Sequence, residues 1–133
     1  MKREILFRGK RVDTVEWVEG SLIRNYVIVG KIVEFEEDYF CTEFWYKVDP
    51  ETVGQFTGMT DKKGKKLFEG DVYSMGEKNI LYVVIFDKSQ FIGKQVRNRS
   101  LAGLEYWKSD IGIVGNVYDN PELLRHHQNY SNL

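Results

Sequence analysis

Two carboxylates separated by one glycine, Glu69-Gly70-Asp71, are the residues whose spacing most resembles a catalytic pair. Residues i and i+2 of a strand project to the same face, so both carboxylates could share an acid/base or metal-binding task. No His, Cys or third carboxylate lies nearby at a spacing typical of metal ligands. We therefore interpret the triplet as the start of a strand, with Asp71 bonding backbone N–H groups. A small metal-dependent hydrolase using Glu69 and Asp71 is an alternative.

A lysine-rich stretch, "TDKKGKKLFEGDVY" (60–73), leads into this triplet. It lacks the G-x-x-x-x-G-K-[ST] spacing of a phosphate-binding loop, and no predicted helix follows Gly64. Asp61 and Gly64 occupy the first and fourth positions of a type I turn signature. We predict a hairpin here, with solvated lysines at its tip that discourage edge pairing.

A second basic stretch, "DKSQFIGKQVRNRS" (87–100), interleaves Phe91 with Lys88, Lys94, Arg97 and Arg99. Basic and aromatic residues in alternation can follow a nucleic-acid backbone and stack on bases. The formal net charge of the whole protein is -1, which gives no global attraction to nucleic acid. We interpret the segment as a solvated loop. Single-stranded nucleic-acid binding through Phe91, Arg97 and Arg99 is the alternative.

The opposite charge dominates "EFEEDYFCTE" (34–43), which has five carboxylates and neither lysine nor arginine. Two interpretations stand: the stretch contacts the basic stretch of another subunit, or it is an exposed hairpin kept soluble by its charge. The overlapping "YFCTEFWYKV" (39–48) is aromatic on both faces, as expected for central burial or for an exposed partner-binding surface. We take Phe44, Trp45 and Tyr46 as candidate binding residues.

The histidines and the cysteine offer little chemistry. His126 and His127 are adjacent, so on a helix they point in different directions and make a poor metal pair. Cys41 is the only cysteine, which excludes an internal disulfide, and we expect it to be a small core residue. We predict no catalytic residue, metal or cofactor.

The size and composition indicate one folded domain over residues 1–133. The sequence is 42% hydrophobic and 14% aromatic, enough for a packed core. No apolar run reaches membrane-spanning length, and the opening "MKREILFRGK" lacks the apolar centre of a signal peptide. We therefore expect a cytoplasmic protein without membrane contact.

The elements that must position these residues are mostly strands. Segments rich in β-branched and aromatic residues recur between turn signals, and "ILYVVIF" (80–86) is apolar on both alternating faces, as a strand buried on both sides would be. Asp49-Pro50 predicts a short helical turn, and Asn120-Pro121 predicts a capped C-terminal helix. The expected fold class is all-β, mainly antiparallel: a small barrel-like domain with short helical turns and a short C-terminal helix.

Two longer blocks, "VDPETVGQFTGMTDKKGKKLFEGDVY" (48–73) and "GIVGNVYDNPELL" (112–124), resemble the YopX family of phage and prophage proteins. The opening residues and "EWVEGSL" are consistent with this resemblance, whereas residues 75–109 carry no match. The resemblance implies a small, mostly β accessory protein encoded by a phage or prophage. It transfers no enzymatic activity to particular residues, because the shared positions are Gly, Asp and Pro in turns.

From the residues and the resemblance together we predict a non-enzymatic protein that acts by binding. We expect a homo-oligomer, with a different protein partner as a second option and nucleic acid as a weaker one. The expected location is the cytoplasm of a bacterial host.

Overall fold

The computed structural model describes residues 3–125, which fall into two compact units divided between Phe56 and Thr57. Strands take up 49% of these residues and helices 9%, and the strand pairings whose register is defined are antiparallel. The predicted fold class, all-β and mainly antiparallel with short helical turns, is confirmed. A single domain over 1–133 stays a prediction, and His126 and His127 lie outside the described residues.

The strands follow one another with short connections. They are β1 (Phe7–Lys10), β2 (Trp17–Ile23), β3 (Val27–Val29), β4 (Ile32–Phe35), β5 (Phe40–Thr42), β6 (Trp45–Lys47), β7 (Gly54–Thr60), β8 (Lys66–Phe68), β9 (Asp71–Ser74), β10 (Tyr82–Asp87), β11 (Gln90–Gln95), β12 (Leu101–Gly103) and β13 (Gly112–Asn116). One four-residue helix, α1 (Leu104–Trp107), precedes β13, and a helical turn begins at residue 122. Within residues 3–125, no helix is long and apolar enough to cross a bilayer.

The first unit is built on a sheet in which β6, β3, β2, β1 and the beginning of β7 are neighbours in that order. Ile28, at the centre of β3, pairs with Leu22 on one side and Tyr46 on the other. Its side chain and that of Val48 are buried. A 3-10 turn, Pro50–Thr52, follows β6, and the Asp49 carboxylate accepts the Glu51 N–H at 3.0 Å. The helical turn predicted from Asp49-Pro50 is confirmed.

The chain between β3 and β6 leaves this sheet and forms a separate two-stranded ribbon, β4 with β5. The segment "YVIVGKIVEF" (26–35) is thus divided at Gly30 into β3 and β4. The base of the ribbon is fixed by Gly30 N–H donating to Phe44 O at 3.0 Å and Glu43 N–H donating to Lys31 O at 2.9 Å. Each strand of the ribbon therefore has one paired edge and one open edge.

The second unit has a sheet of order β12-β11-β10-β9-β13. The end of β7, which pairs with β8, also belongs to this unit. Its core contains Leu67, Tyr73, Tyr82, Val84, Leu104 and Ile111. "ILYVVIF" is not buried on both sides, since only the face of Tyr82 and Val84 is buried while Val83 and Ile85 are partly open. The solvated loop expected at 87–100 is also wrong, because β10 and β11 form a hairpin there with Asp87 opposite Gln90.

The contact of a tyrosine side chain with a glycine two strands away fixes the centre of this core. The rings of Tyr73 and Tyr82 stack with centroids 5.3 Å apart, and Tyr73 is almost fully buried. The Tyr73 hydroxyl lies over Gly93 of β11 so closely that any Cβ at that position would clash with it. Burial, followed by the nearby Tyr82, raises the pKa of Tyr73, so the ring stays neutral. Position 93 therefore has room for glycine but not for a residue with a Cβ.

Gly93→Ala is expected to destabilise the protein by about 1–3 kcal/mol, because the added methyl forces Tyr73 or β11 to move. Gly103→Ala is the matched control, since a Cβ there meets no atom within 4 Å. Urea unfolding followed by tryptophan fluorescence measures both. Equal stability of the two variants would contradict the packing described for Tyr73.

Candidate functional site

Asp61 is placed at the start of the β7–β8 turn and acts as a hydrogen-bond acceptor for the backbone. Its Oδ1 accepts the N–H groups of Lys63 and Lys65, each at 2.9 Å, and its Oδ2 accepts the Ile113 N–H at 3.1 Å. Gly64 N–H donates to Asp61 O at 2.9 Å, and Gly64 adopts φ +84°, which suits glycine. One carboxylate thus joins the turn to β13.

The charge of Asp61 is stabilised although the residue is buried, with only 7% of its surface exposed. Burial acts to raise the pKa of Asp61, but the hydrogen bonds from Ile113, Lys65 and Lys63 and the charge of Lys65 together lower it below its ordinary value. The carboxylate is therefore ionised and saturated with donors, which suits a structural role.

Glu69 and Asp71 do not share a strand face. Glu69 belongs to the turn after β8, while Asp71 begins β9 with a side chain only 2% exposed. Asp71 Oδ2 accepts the Phe68 N–H at 2.8 Å. Between them Gly70, at φ +94°, donates to Val84 O at 2.9 Å and accepts the Val117 N–H at 3.0 Å. Gly70 and Asp71 of the triplet therefore bind neighbouring backbone groups and fix the start of β9.

The three candidate aromatic residues, Phe44 and the first two residues of β6, point to two different sides of the chain. Phe44 and Tyr46 are half-buried and stack on each other with centroids 5.3 Å apart. The Arg11 guanidinium lies 3.7 Å from the Tyr46 ring centroid and makes a two-bond ion pair with Asp13, which lowers the pKa of Asp13. Trp45 projects the other way and is 63% exposed. Of the three, Trp45 is thus the one available to a partner.

The β4–β5 ribbon, residues 32–42, is called here the acidic-aromatic arm. Phe35 and Phe40, at paired positions, stack with centroids 6.1 Å apart and are 73% and 50% exposed. The loop at its tip carries three consecutive carboxylates, Glu36, Glu37 and Asp38. Further exposed apolar side chains on or beside the arm are Ile23, Ile32, Val33, Tyr39 and Trp45. The arm combines negative charge with uncovered apolar surface.

A concave surface lies at the base of the arm, within the first unit. It has a volume of about 460 Å³ and is lined by Ile23, Val27, Val29, Phe40, Cys41, Thr42 and Trp45. Cys41 is exposed there, so its predicted burial in the core is wrong. The reason is that β5 pairs with β4 in the two-stranded ribbon and does not belong to the larger sheet. Phe40 and Trp45 thus border one apolar depression.

A second concave surface, called here the basic groove, lies within the second unit. It has a volume of about 240 Å³ and is lined by Val83, Ile85, Lys94, Gln95, Val96, Arg99, Val117 and Leu124. The outward face of β10 supplies Val83 and Ile85, and the turn after β11 supplies Val96 and Arg99. Arg99 N–H donates to Gln95 O at 2.9 Å and the residue adopts φ +64°, a conformation that costs a non-glycine residue free energy.

The predicted nucleic-acid residues are not brought together. Phe91 lies near the start of β11, in edge-to-face contact with Phe86 at 5.0 Å, and packs against the core. Arg97 and Arg99 lie beyond the other end of β11, both exposed. At roughly 3.3 Å per residue, about 20 Å of strand and turn separates Phe91 from Arg97. One base could not stack on Phe91 and contact both arginines.

Asn120 and Pro121 lie immediately before the helical turn that begins at residue 122. Leu124 N–H donates to Pro121 O at 3.1 Å, which closes that turn. The side chain of Asn120, however, is directed backwards: its Oδ1 accepts the Asn116 N–H at 3.2 Å and lies against Gly115. Asn120 therefore terminates β13 as well as preceding the helix.

Sequence reasoning named the basic residues Lys94 and Arg99 and the acidic and aromatic stretch of the arm, but it predicted neither the groove nor the pairing of Phe35 with Phe40. The signal for the groove was present in "ILYVVIF", where the second apolar face belongs to Val83 and Ile85. The signal for the arm was the placement of Phe35 and Phe40 around the acidic tip. Among residues 3–125, no three His, Cys, Asp or Glu side chains are grouped so that they could hold a metal ion.

Fold and surfaces together define a mainly antiparallel β protein that presents an acidic-aromatic arm and a basic groove. The family model described as YopX protein matches residues 6–125, and the chain belongs to the YopX family. Among solved structures, it is similar in fold to protein EF1440 from Enterococcus faecalis, with a TM-score of 0.63 and 17% identity over 92% of this chain and 99% of that one. Comparison with curated protein sequences gave no significant match.

Asp61→Asn is expected to lower the free energy of unfolding by about 1–3 kcal/mol, because the amide loses the charge and one of two acceptor oxygens. Asp110→Asn, at an exposed position, is the control that makes the same chemical change. Urea unfolding at neutral pH measures both. A stability loss no greater than that of the control would show that the three backbone bonds contribute little.

The Asp61 contribution is also expected to depend on pH. Since the folded-state pKa of Asp61 is lowered, its stabilisation is present above the unfolded-state pKa of about 4 and is lost as the pH falls through the folded-state pKa. The stability difference between wild type and Asp61→Asn should therefore shrink between about pH 5 and about pH 2. A constant difference over that range would contradict the lowered pKa.

Proposed function

We propose that this YopX-family chain is a phage or prophage accessory protein that works by binding protein surfaces, first of all other copies of itself. The observation that carries the proposal is the acidic-aromatic arm, whose Phe35 and Phe40 project from a two-stranded ribbon with large exposed fractions. Grouped apolar side chains of this kind, bordered by charge, are typical of interaction sites.

The physical state of the ribbon supports this proposal. A two-stranded hairpin is marginally stable in water unless a further strand or layer covers it. Full burial of a Phe side chain contributes about 1.5–3 kcal/mol. Covering Phe35, Phe40 and Trp45 with a partner would therefore stabilise both the complex and the arm itself.

The placement of the carboxylates supports a non-enzymatic role. Asp61 and Asp71, the buried aspartates of the second unit, accept backbone N–H groups at 2.8 to 3.1 Å. Carboxylates used in this way hold turns and strand starts in place and are not positioned for proton transfer to a substrate. We propose binding rather than catalysis on this basis.

The cytoplasm of a bacterial host is the proposed setting. Cys41 is the only cysteine of the sequence, and its thiol is exposed. A reducing compartment keeps such a thiol free, whereas an oxidising one favours unwanted intermolecular disulfides.

The triple variant Phe35→Ser, Phe40→Ser, Trp45→Ser is expected to weaken self-association by roughly 30-fold or more, since it removes the aromatic anchors of the interface. Size-exclusion chromatography with light scattering over a range of micromolar concentrations measures the change. Tyr106→Ser, an exposed aromatic residue of α1 in the second unit, is the control and should self-associate like wild type. Monomeric wild-type protein at these concentrations would remove the homo-oligomer from the proposal.

A further inference from the structure

We infer that the basic groove of one copy receives the acidic-aromatic arm of a second copy. The inference rests on the proposed self-association and names the surface on which the arm docks. The two surfaces are complementary in charge, because the groove is basic and the arm is acidic.

The groove pairs an apolar floor with a basic rim. Val83, Ile85 and Val117 supply aliphatic side chains, while Lys94 and Arg99 place two cations beside them. A cavity of about 150 Å³ is enough for a benzene ring, and the groove has about 240 Å³. One aromatic ring from a partner therefore fits with room for its connecting atoms.

The arm presents the complementary set within a few residues. Phe35 precedes and Phe40 follows the tip loop that carries Glu36, Glu37 and Asp38. Three adjacent carboxylates repel one another, and two cations at the rim of a groove relieve that repulsion. Lys94 is paired with Val83 and lines the same groove as Arg99, so a ring inserted there would bring the tip carboxylates within reach of both cations.

The backbone at the rim is consistent with a built site. Arg99 has φ +64°, and the turn that holds it is closed by Gln95 N–H to Ser100 O at 2.8 Å and by Ser100 N–H to Asn98 Oδ1 at 2.9 Å. Arg99 is thus held by local bonds in the turn between β11 and β12, one of several turns of the described chain that contain a residue with positive φ. These bonds fix the part of the turn that lines the groove.

The arm belongs to the first unit and the groove to the second, so each copy carries both surfaces. Two copies can therefore exchange arms reciprocally as a two-fold dimer, or each copy can give an arm to one neighbour and take one from another in a ring or a filament. A charge reversal on either surface should break every contact in a homogeneous sample.

The test uses two charge-reversed full-length variants. The arm variant is Glu36→Lys, Glu37→Lys, and the groove variant is Lys94→Glu, Arg99→Glu. Each variant alone is expected to raise the apparent dissociation constant for self-association by about tenfold or more at low salt, because like charges then face each other. Mixed in equal amounts, the two variants are expected to assemble again, since every arm then finds a groove of opposite charge in the other variant.

Matched controls make the same charge changes elsewhere: Glu16→Lys, Glu19→Lys in the first unit, and Lys63→Glu, Lys78→Glu in the second, all at exposed positions. Circular dichroism and thermal unfolding show whether each variant is folded. Sedimentation velocity of single variants and mixtures gives the assembly state.

Recovery of assembly in the mixture but not in either variant alone supports the inference. If both variants assemble like wild type while the aromatic triple variant does not, the groove assignment is overturned and the proposed function stands. Loss of assembly in the groove variant with no recovery in the mixture also overturns it. So does salt-dependent binding of a single-stranded oligonucleotide that is lost in the groove variant while the arm variant self-associates normally.

Discussion

The second unit depends on a buried charge that is held mainly by hydrogen bonds from backbone amides. Asp61 accepts three backbone N–H groups, two from its own turn and one from Ile113 in β13. Without that carboxylate, the amide of Ile113 and those of the turn would need other acceptors. The β7–β8 turn and β13 are therefore coupled, and this coupling adds to the pairing of β13 with β9 at the edge of the sheet.

The same sheet has one face that packs in the core and another that lines the basic groove. Tyr82 and Val84 turn inward to the stacked Tyr73, while Val83 and Ile85 turn outward to the groove. Because successive residues of a strand alternate between faces, two of these four consecutive apolar residues pack in the core and the other two line the groove. Strand β10 is thus the element through which core packing positions the floor of the groove.

The predictions from sequence succeeded where a single residue constrains the backbone locally. Asp49-Pro50 places a helical turn by a capping bond and a fixed φ, and the β content follows from segments of β-branched residues between turn signals. They failed where burial depends on which layer covers a strand. Cys41 and Val83 have apolar neighbours that suggested full burial, but Cys41 lies exposed on the two-stranded ribbon and Val83 lies on the partly open face of β10. Likewise, alternation of Phe91 with Arg97 and Arg99 says nothing about strand length, which holds them apart.

The paired residues of the arm lie close together along the chain, whereas those of the sheet beside it include pairs that lie far apart. Glu34 faces Cys41 and Phe35 faces Phe40, whereas β1 of the same unit pairs residue 7 with residue 55. Local hairpins close in about 1–10 μs, but a pairing across most of a unit must first overcome the entropy of a long loop. The pairings of the arm are consequently expected to form early in folding. In kinetic terms, the slower step is the closure of the sheet that carries the arm, because its pairings span a long loop.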